Sequence, residues 1–126
     1  MPMYQHPKPI GKCVEVALVA ATALNLAAPA GNNLTLFGKD VEITAGENYV
    51  TDAYSPTIVT VYQVPKSVSA YNAGVFAPYA IARLGSDTTV EKKYNKLSER
   101  FTVRPDHHIW LLAPAATICT VTVRED

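Results

Sequence analysis

The chain is 126 residues long, 48% hydrophobic and 17% charged, with 11 Lys+Arg against 11 Asp+Glu. A chain of this size is one domain's worth and, once folded, hides about two-thirds of its unfolded surface, so it builds a core without disulfides or metals. That composition excludes wholesale disorder. Zero net charge argues against a nucleic-acid binder driven by phosphate contacts.

Residues 1–11 carry prolines at 2, 7 and 9. Proline lacks a backbone N–H and fixes φ, so this stretch forms neither a helix nor a central strand. It reads as an extended arm, held by the body or by a neighbouring chain, ahead of a single β-rich domain over 12–126. An apolar run from Val16 to Ala28 follows Lys8 and Lys12, but Glu15, Asn25 and Pro29 break the pattern of a secretory leader. No run reaches the roughly 20 apolar residues of a membrane span, and no membrane partner is expected.

Residues 12–20 alternate weakly, with Val14, Val16 and Leu18 opposite Glu15, and predict a strand. Leu24 and Leu26 alternate about Asn25, and Pro29–Asn33 is a turn cluster. Leu34–Phe37 reads as a short strand ending at Gly38, and Val41–Thr44 as another ending at Ala45–Asn48. Thr57–Val64 is the strongest strand. Apolar groups on both its faces predict a central position, and Pro65 ends it. Residues 66–78 form a long connection with Val75 and Phe76 as buried anchors; loops of this length are often functional. Tyr79–Leu84 predicts a strand. Thr88 and Glu91 match a capping box, and Val90, Tyr94, Leu97 and Phe101 form one apolar stripe, so 88–100 predicts an amphipathic helix. Phe101–Arg104, Ile109–Ala113 and Ala116–Val123 finish as strands. This rhythm of short strands and turns is that of an all-β sandwich or barrel.

The motifs that carry chemistry are absent: there is no GxGxxG, GxxxxGK[ST], HExxH or GxSxG. No catalytic residue, cofactor or metal ligand is assigned, and the chain is expected not to be an enzyme. Cys13 and Cys119 form no CxxC pair. Cys119 shares a face with Val121 and Val123 and is expected to be buried, whereas Cys13 shares one with Glu15, so two inert thiols are favoured over a bridge. His107 and His108 are adjacent in Asp106-His107-His108 and would point to opposite faces of a strand, a poor chelate that needs help from His6 or a distant carboxylate. The acidic stretch Asp40, Glu42, Glu47, Asp52 reads as solvated strand edges in preference to a calcium site, and Lys92, Lys93, Lys96 and Arg100 as a solvated helix face. Of seven tyrosines, Tyr62 and Tyr94 fit core-facing stripes, whereas Tyr4, Tyr71 and Tyr79, with Phe76, lie in arm or loop segments. Tyrosine suits interfaces because it pairs large area with a polar tip.

The proline-bearing arm, the strands rich in Ala, Thr and Val, and turns such as Ala28-Pro29-Ala30-Gly31-Asn32 and Thr44-Ala45-Gly46-Glu47 together resemble small virion proteins of tailed phages, above all head decoration (cement) proteins. The resemblance covers residues 1–64 and transfers no functional residue. It implies an antiparallel β-sandwich of jelly-roll or β-tulip-like form. It also implies a homo-oligomer, often a trimer, that clamps subunits of the major capsid protein or another virion protein, with assembly in the host cytoplasm and residence in the virion. Within that expectation the candidate interface is Met1, Tyr4, Pro7 and Pro9 of the arm with Tyr71, Phe76 and Tyr79 of the long connection. The alternatives are a carbohydrate-binding sandwich that stacks Tyr71, Tyr79 or Trp110 on a sugar, and a small cupin-like metal enzyme using His107 or His108.

Overall fold

The computed structural model describes residues 10–45, 49–50, 53–54, 57–86 and 98–124. Alternation builds the strands. In the last one, Thr117, Cys119, Val121 and Val123 are buried while Ile118, Thr120, Thr122 and Arg124 face outward. Side chains on a strand point alternately to opposite faces, so a period-2 pattern seals one face only. Asp40–Ala45 repeats it with Val41, Ile43 and Ala45 inward.

Ten strands result among the described residues: β1 (Ile10–Leu18), β2 (Leu24–Asn25), β3 (Asp40–Ala45), β4 (Tyr49–Val50), β5 (Ala53–Tyr54), β6 (Thr57–Pro65), β7 (Ala80–Ser86), β8 (Ser98–Thr102), β9 (His107–Leu112) and β10 (Thr117–Arg124). One sheet has the order β1-β10-β3-β8 and the other β2-β9-β6-β7, with every pairing antiparallel. The pair β4–β5 is a small hairpin inserted between β3 and β6. Setting that hairpin aside, the first, eighth, third and sixth of the eight remaining strands form one sheet, and the second, seventh, fourth and fifth the other. This is the strand order of a jelly roll, two Greek keys folded into a sandwich.

The core lies between the sheets. One cluster joins Val16 and Leu18 of β1, Val41 and Ile43 of β3, and Val121 and Val123 of β10 to Val59 and Val61 of β6, Leu84 of β7, and Ile109 and Leu111 of β9. Each such side chain contributes about 1.5–3 kcal/mol by leaving water. Cys119 sits in this cluster and Cys13 is exposed. Although β1 and β10 are neighbours, Cys13 pairs across with Thr122 and Cys119 with Val16, so the two thiols are offset along the ladder and do not bridge.

Several expectations are corrected. Ile10 and Gly11 belong to β1 and not to the arm. Leu34–Phe37 is not a strand: Leu34 N–H donates to Leu26 C=O, and a turn follows at Phe37–Gly38, so Leu34 and Leu36 plug the end of the sandwich without a ladder. Ser98–Arg100 opens β8 instead of closing a helix, because Arg100 pairs with Glu42 and Ser98 with Thr44; the remainder of the expected helix, 88–97, lies outside the described residues. In the long connection Phe76 is fully buried, but Val75 is 44% exposed. A one-turn helix, α1 (Ala73–Phe76), sets this alternation; the Asn72 side chain caps it by accepting from Gly74 N–H at 3.0 Å and Val75 N–H at 3.2 Å.

Candidate functional site

The outer face of the second sheet is not bare. On β9, Ile109 and Leu111 point to the core, so His108 and Trp110 point away from it. Trp110 pairs across with Tyr62 of β6, and His108 with Val64. Residues 66–79 fold over this face as a strap. Phe76 is its plug: it meets Trp110 edge-on (5.1 Å, 88°), Tyr62 (5.4 Å, 69°) and Tyr71 (4.9 Å, 73°). Such edge-to-face pairs favour one arrangement of the rings, because each ring edge is positive and each face negative. Val68 and Tyr79 pack at the margin.

The strap turns part of this apolar cluster outward. Tyr71 is 38% exposed, and Val75 stands beside the plug that holds the segment down. Burial, and then the neighbouring Tyr71 phenol, push the Tyr62 hydroxyl above its ordinary value of 10.0. Trp110 is only 6% exposed, and its indole N–H finds no hydrogen-bond partner among the described residues. Thus of the expected interface residues, Tyr71 is at the surface, Tyr79 is half-buried, and Phe76 lies wholly beneath them as support. Met1, Tyr4, Pro7 and Pro9 lie outside the described residues.

The aromatic band continues past Val64 to the end of the sandwich. Here β2 contributes Asn25, whose Oδ1 accepts from Ala27 N–H at 2.9 Å. That bond turns Nδ2 toward His108 Nδ1, 3.3 Å away. The amide donates, so His108 Nδ1 accepts and the ring proton sits on Nε2. Burial, and then the Lys66 charge, lower the His108 pKa from its ordinary 6.5, in keeping with a neutral ring. His107 takes the opposite tautomer, because its Nδ1 lies 2.8 Å from the Pro105 carbonyl and must donate. Phe37 stacks on His108 (5.6 Å, 14°), with the Lys66 ammonium 5.6 Å from the Phe37 centroid. Gly31 underlies this corner. A Cβ there would stand 2.5 Å from the Asn25 carbonyl oxygen and 2.7 Å from Leu26 Cα, so only glycine lets the turn approach β2. Between residues 33–37 and 107–109 lies a half-open cleft of about 130 Å³.

The adjacent histidines were expected to diverge, yet both line this cleft. They still make a poor chelate, since His108 Nδ1 is engaged by Asn25 and its Nε2 carries the proton. Among the described residues no group of three or more His, Cys, Asp or Glu is placed to hold a metal. Asp40 accepts from Thr102 Oγ1 at 2.7 Å and from Arg100 at 3.3 Å, and these bonds, Thr102 first, hold its carboxyl below 3.8. It forms a cross-strand tie between β3 and β8; Glu47 and Asp52 lie outside the described residues, as do Lys92, Lys93 and Lys96. Sequence reasoning missed Asn25, Phe37 and Lys66. The one available signal for Asn25 was a polar residue breaking an apolar run. No known family matches the sequence, and no curated protein is significantly similar to it.

Proposed function

We propose that this chain is a non-enzymatic structural protein of a viral particle, of the capsid-decoration kind, that works by packing against neighbouring subunits. The observation that carries the reading is the strap: a segment of small and polar residues, pinned by Phe76, that holds Tyr71 and Val75 outward on a rigid aromatic base. Preorganised apolar side chains bind with little further loss of freedom. Jelly rolls serve viral coats, lectins and cupins alike, so the site must choose among them. A cupin-like centre needs ligands inside the sandwich, and the core cluster here is aliphatic apart from Phe101 at its margin and Cys119. A sugar platform needs exposed rings, and the burial of Trp110 leaves that reading Tyr71 and Tyr79 alone. In the proposed role the partner is the major capsid protein or another virion protein, the chain is a homo-oligomer, a trimer by the resemblance, and many copies add small binding energies.

The test is the native mass of untagged protein by light scattering and native mass spectrometry, beside the double variant Tyr71→Ser/Val75→Ser. A closed oligomer that the variant dissociates without unfolding is expected. A monomer at every concentration, or one carrying a stoichiometric sugar or metal, overturns the proposal.

A further inference from the structure

We infer that the end of the sandwich away from the cleft, where the β1–β2 and β9–β10 turns meet, docks a second copy of this chain. This docking role rests on the assembly role proposed above and supplies its footprint.

The strand β9 starts beside the cleft at His107 and ends at Leu112, so the turn after it lies at the opposite end. The two most exposed large apolar side chains among the described residues are both here: Val19 at 67% and Ile118 at 52%. Ile118 pairs across the ladder with Ala17, two residues before Val19. Ala20, Pro114 and Ala116 around them are exposed as well. Single exposed apolar residues are ordinary on a protein surface, whereas a contiguous set marks a contact. The backbone beneath is held stiffly. Thr22 N–H donates to Val19 C=O at 3.1 Å, and Thr22 Oγ1 to Ala20 C=O at 3.2 Å. Ala21 stands at φ 57°, a left-handed conformation that turns usually assign to Gly or Asn. Its N–H donates to Ala113 C=O at 2.8 Å, which ties the two turns into one block. Strained backbone of this kind persists where the surroundings hold it, and such positions gather at binding sites. Val19 is thus presented on a fixed support, which lowers the entropy lost on docking.

Charge selects the partner. Residues 16–38, 67–82 and 109–123 contain no Asp, Glu, Lys or Arg. These three stretches supply the two turns, the strap and the strands between them. Ala23 and Leu112 pack into the strap's aromatic cluster, so the turns and the strap form one continuous surface. By contrast Lys39, Lys66, Arg104 and Asp106 lie at the cleft end. A nucleic acid or a charged peptide would find no counter-charge on the neutral surface. Segments that sit on lipid carry aromatic rings flanked by Lys or Arg, and the two turns have neither. A second copy needs no charge pattern to be matched, because a neutral patch is complementary to itself, and subunit contacts are depleted in charge at their centres. The size fits too. A standard interface takes about 20–30 residues a side, and the exposed and half-buried residues of turns and strap together reach the low end of that range.

The test is the native mass of Val19→Lys and Ile118→Lys in the full-length chain over a range of concentrations, with Thr35→Lys, exposed beside the cleft, as the control. Both end positions are exposed, so these variants should keep the wild-type tryptophan emission and urea midpoint. Each is expected to raise the dissociation constant of the oligomer at least tenfold, while Thr35→Lys leaves it unchanged. An oligomer that survives both end variants, or that Thr35→Lys weakens equally, overturns the docking end; if Tyr71→Ser/Val75→Ser still dissociates it, the assembly role stands without that end. A wild-type chain that is monomeric at every concentration overturns both. Co-sedimentation of the wild type with phosphatidylcholine–phosphatidylglycerol vesicles, lost in Val19→Lys, assigns the end to a lipid surface and overturns the second-copy contact as well.

Discussion

Replacing Phe76 with alanine removes the fully buried side chain that holds residues 66–79 against β6 and β9. Phe→Ala in a packed interior costs about 3–5 kcal/mol, the lost transfer energy together with the cavity left behind. Contacts with three rings argue for a substantial loss, and the edge-to-face terms are already contained in that figure. Against this, residues 69–75 are all exposed, so the strap can sink and close part of the cavity. The expectation is therefore the lower end, about 3 kcal/mol, a large share of the roughly 5–15 kcal/mol that holds a domain together. The molecule carries its own probe, because Trp110 is its single tryptophan and lies under the plug. Urea unfolding followed by tryptophan emission gives the free energy; the native-state spectrum reports whether the indole has met water. A red-shifted native spectrum with an unchanged far-ultraviolet signature is expected, the sandwich surviving while its cover loosens. A loss under about 1 kcal/mol with the emission unmoved would refute the assignment of Phe76 as the plug.

Further outcomes follow from the same geometry. Gly31→Ala should cost about 1–3 kcal/mol in the same urea assay, because its new methyl meets backbone that cannot rotate away; a neutral effect would mean the turn has room. Because the folded pKa of His108 lies below 6.5, the unfolded chain takes up the proton first, so stability should fall as pH drops from 7 through 6.5 toward the folded value. His108→Gln should flatten that slope in pH-dependent melts, and an unchanged slope would assign it to other groups. Asn25→Ala removes the donor that favours the neutral ring and should raise the His108 pKa in an NMR titration. Thr102→Val should raise the Asp40 pKa, since the threonine hydroxyl is the largest cause of its depression; Asp40 stabilises the fold above 3.8, and that contribution fades as pH falls through its lowered folded value.

The long strands were legible because their information is local. Thr57–Val64 carries apolar groups on both faces, and β6 is indeed central, its Val59 and Val61 in the main core and its Tyr62 and Val64 beneath the strap. Leu34–Phe37 shows the same alternation and is no strand, because its backbone bonds go to Leu26 and to a turn. A pattern of side chains does not reveal where the N–H groups will find acceptors. Ser98–Arg100 was drawn into a helix by local spacing, and the competing partners, Asp40 and Glu42, lie about 60 residues away in sequence. The site divides the same way. Tyr71 stood out as a tyrosine in a loop, but Val75 and Phe76 exchange inside and outside through a single turn of helix capped by Asn72. The Asn25–His108 bond joins residues 83 apart, and nothing in either neighbourhood announces it.

The turn after β2 has one more effect. Asn32 sits at φ 72° and spends its side-chain amide on the Glu15 carbonyl, midway along the strand that forms one border of the first sheet. A bare border of that length invites another strand to continue the ladder, and such growth has no natural stopping point. With a carbonyl already engaged and the turn standing alongside, sheet-to-sheet extension through β1 is obstructed at its middle. Copies of the chain that associate are steered away from border-to-border growth, which runs on as a fibre, and toward contacts through faces and loops, which can return on themselves around a symmetry axis.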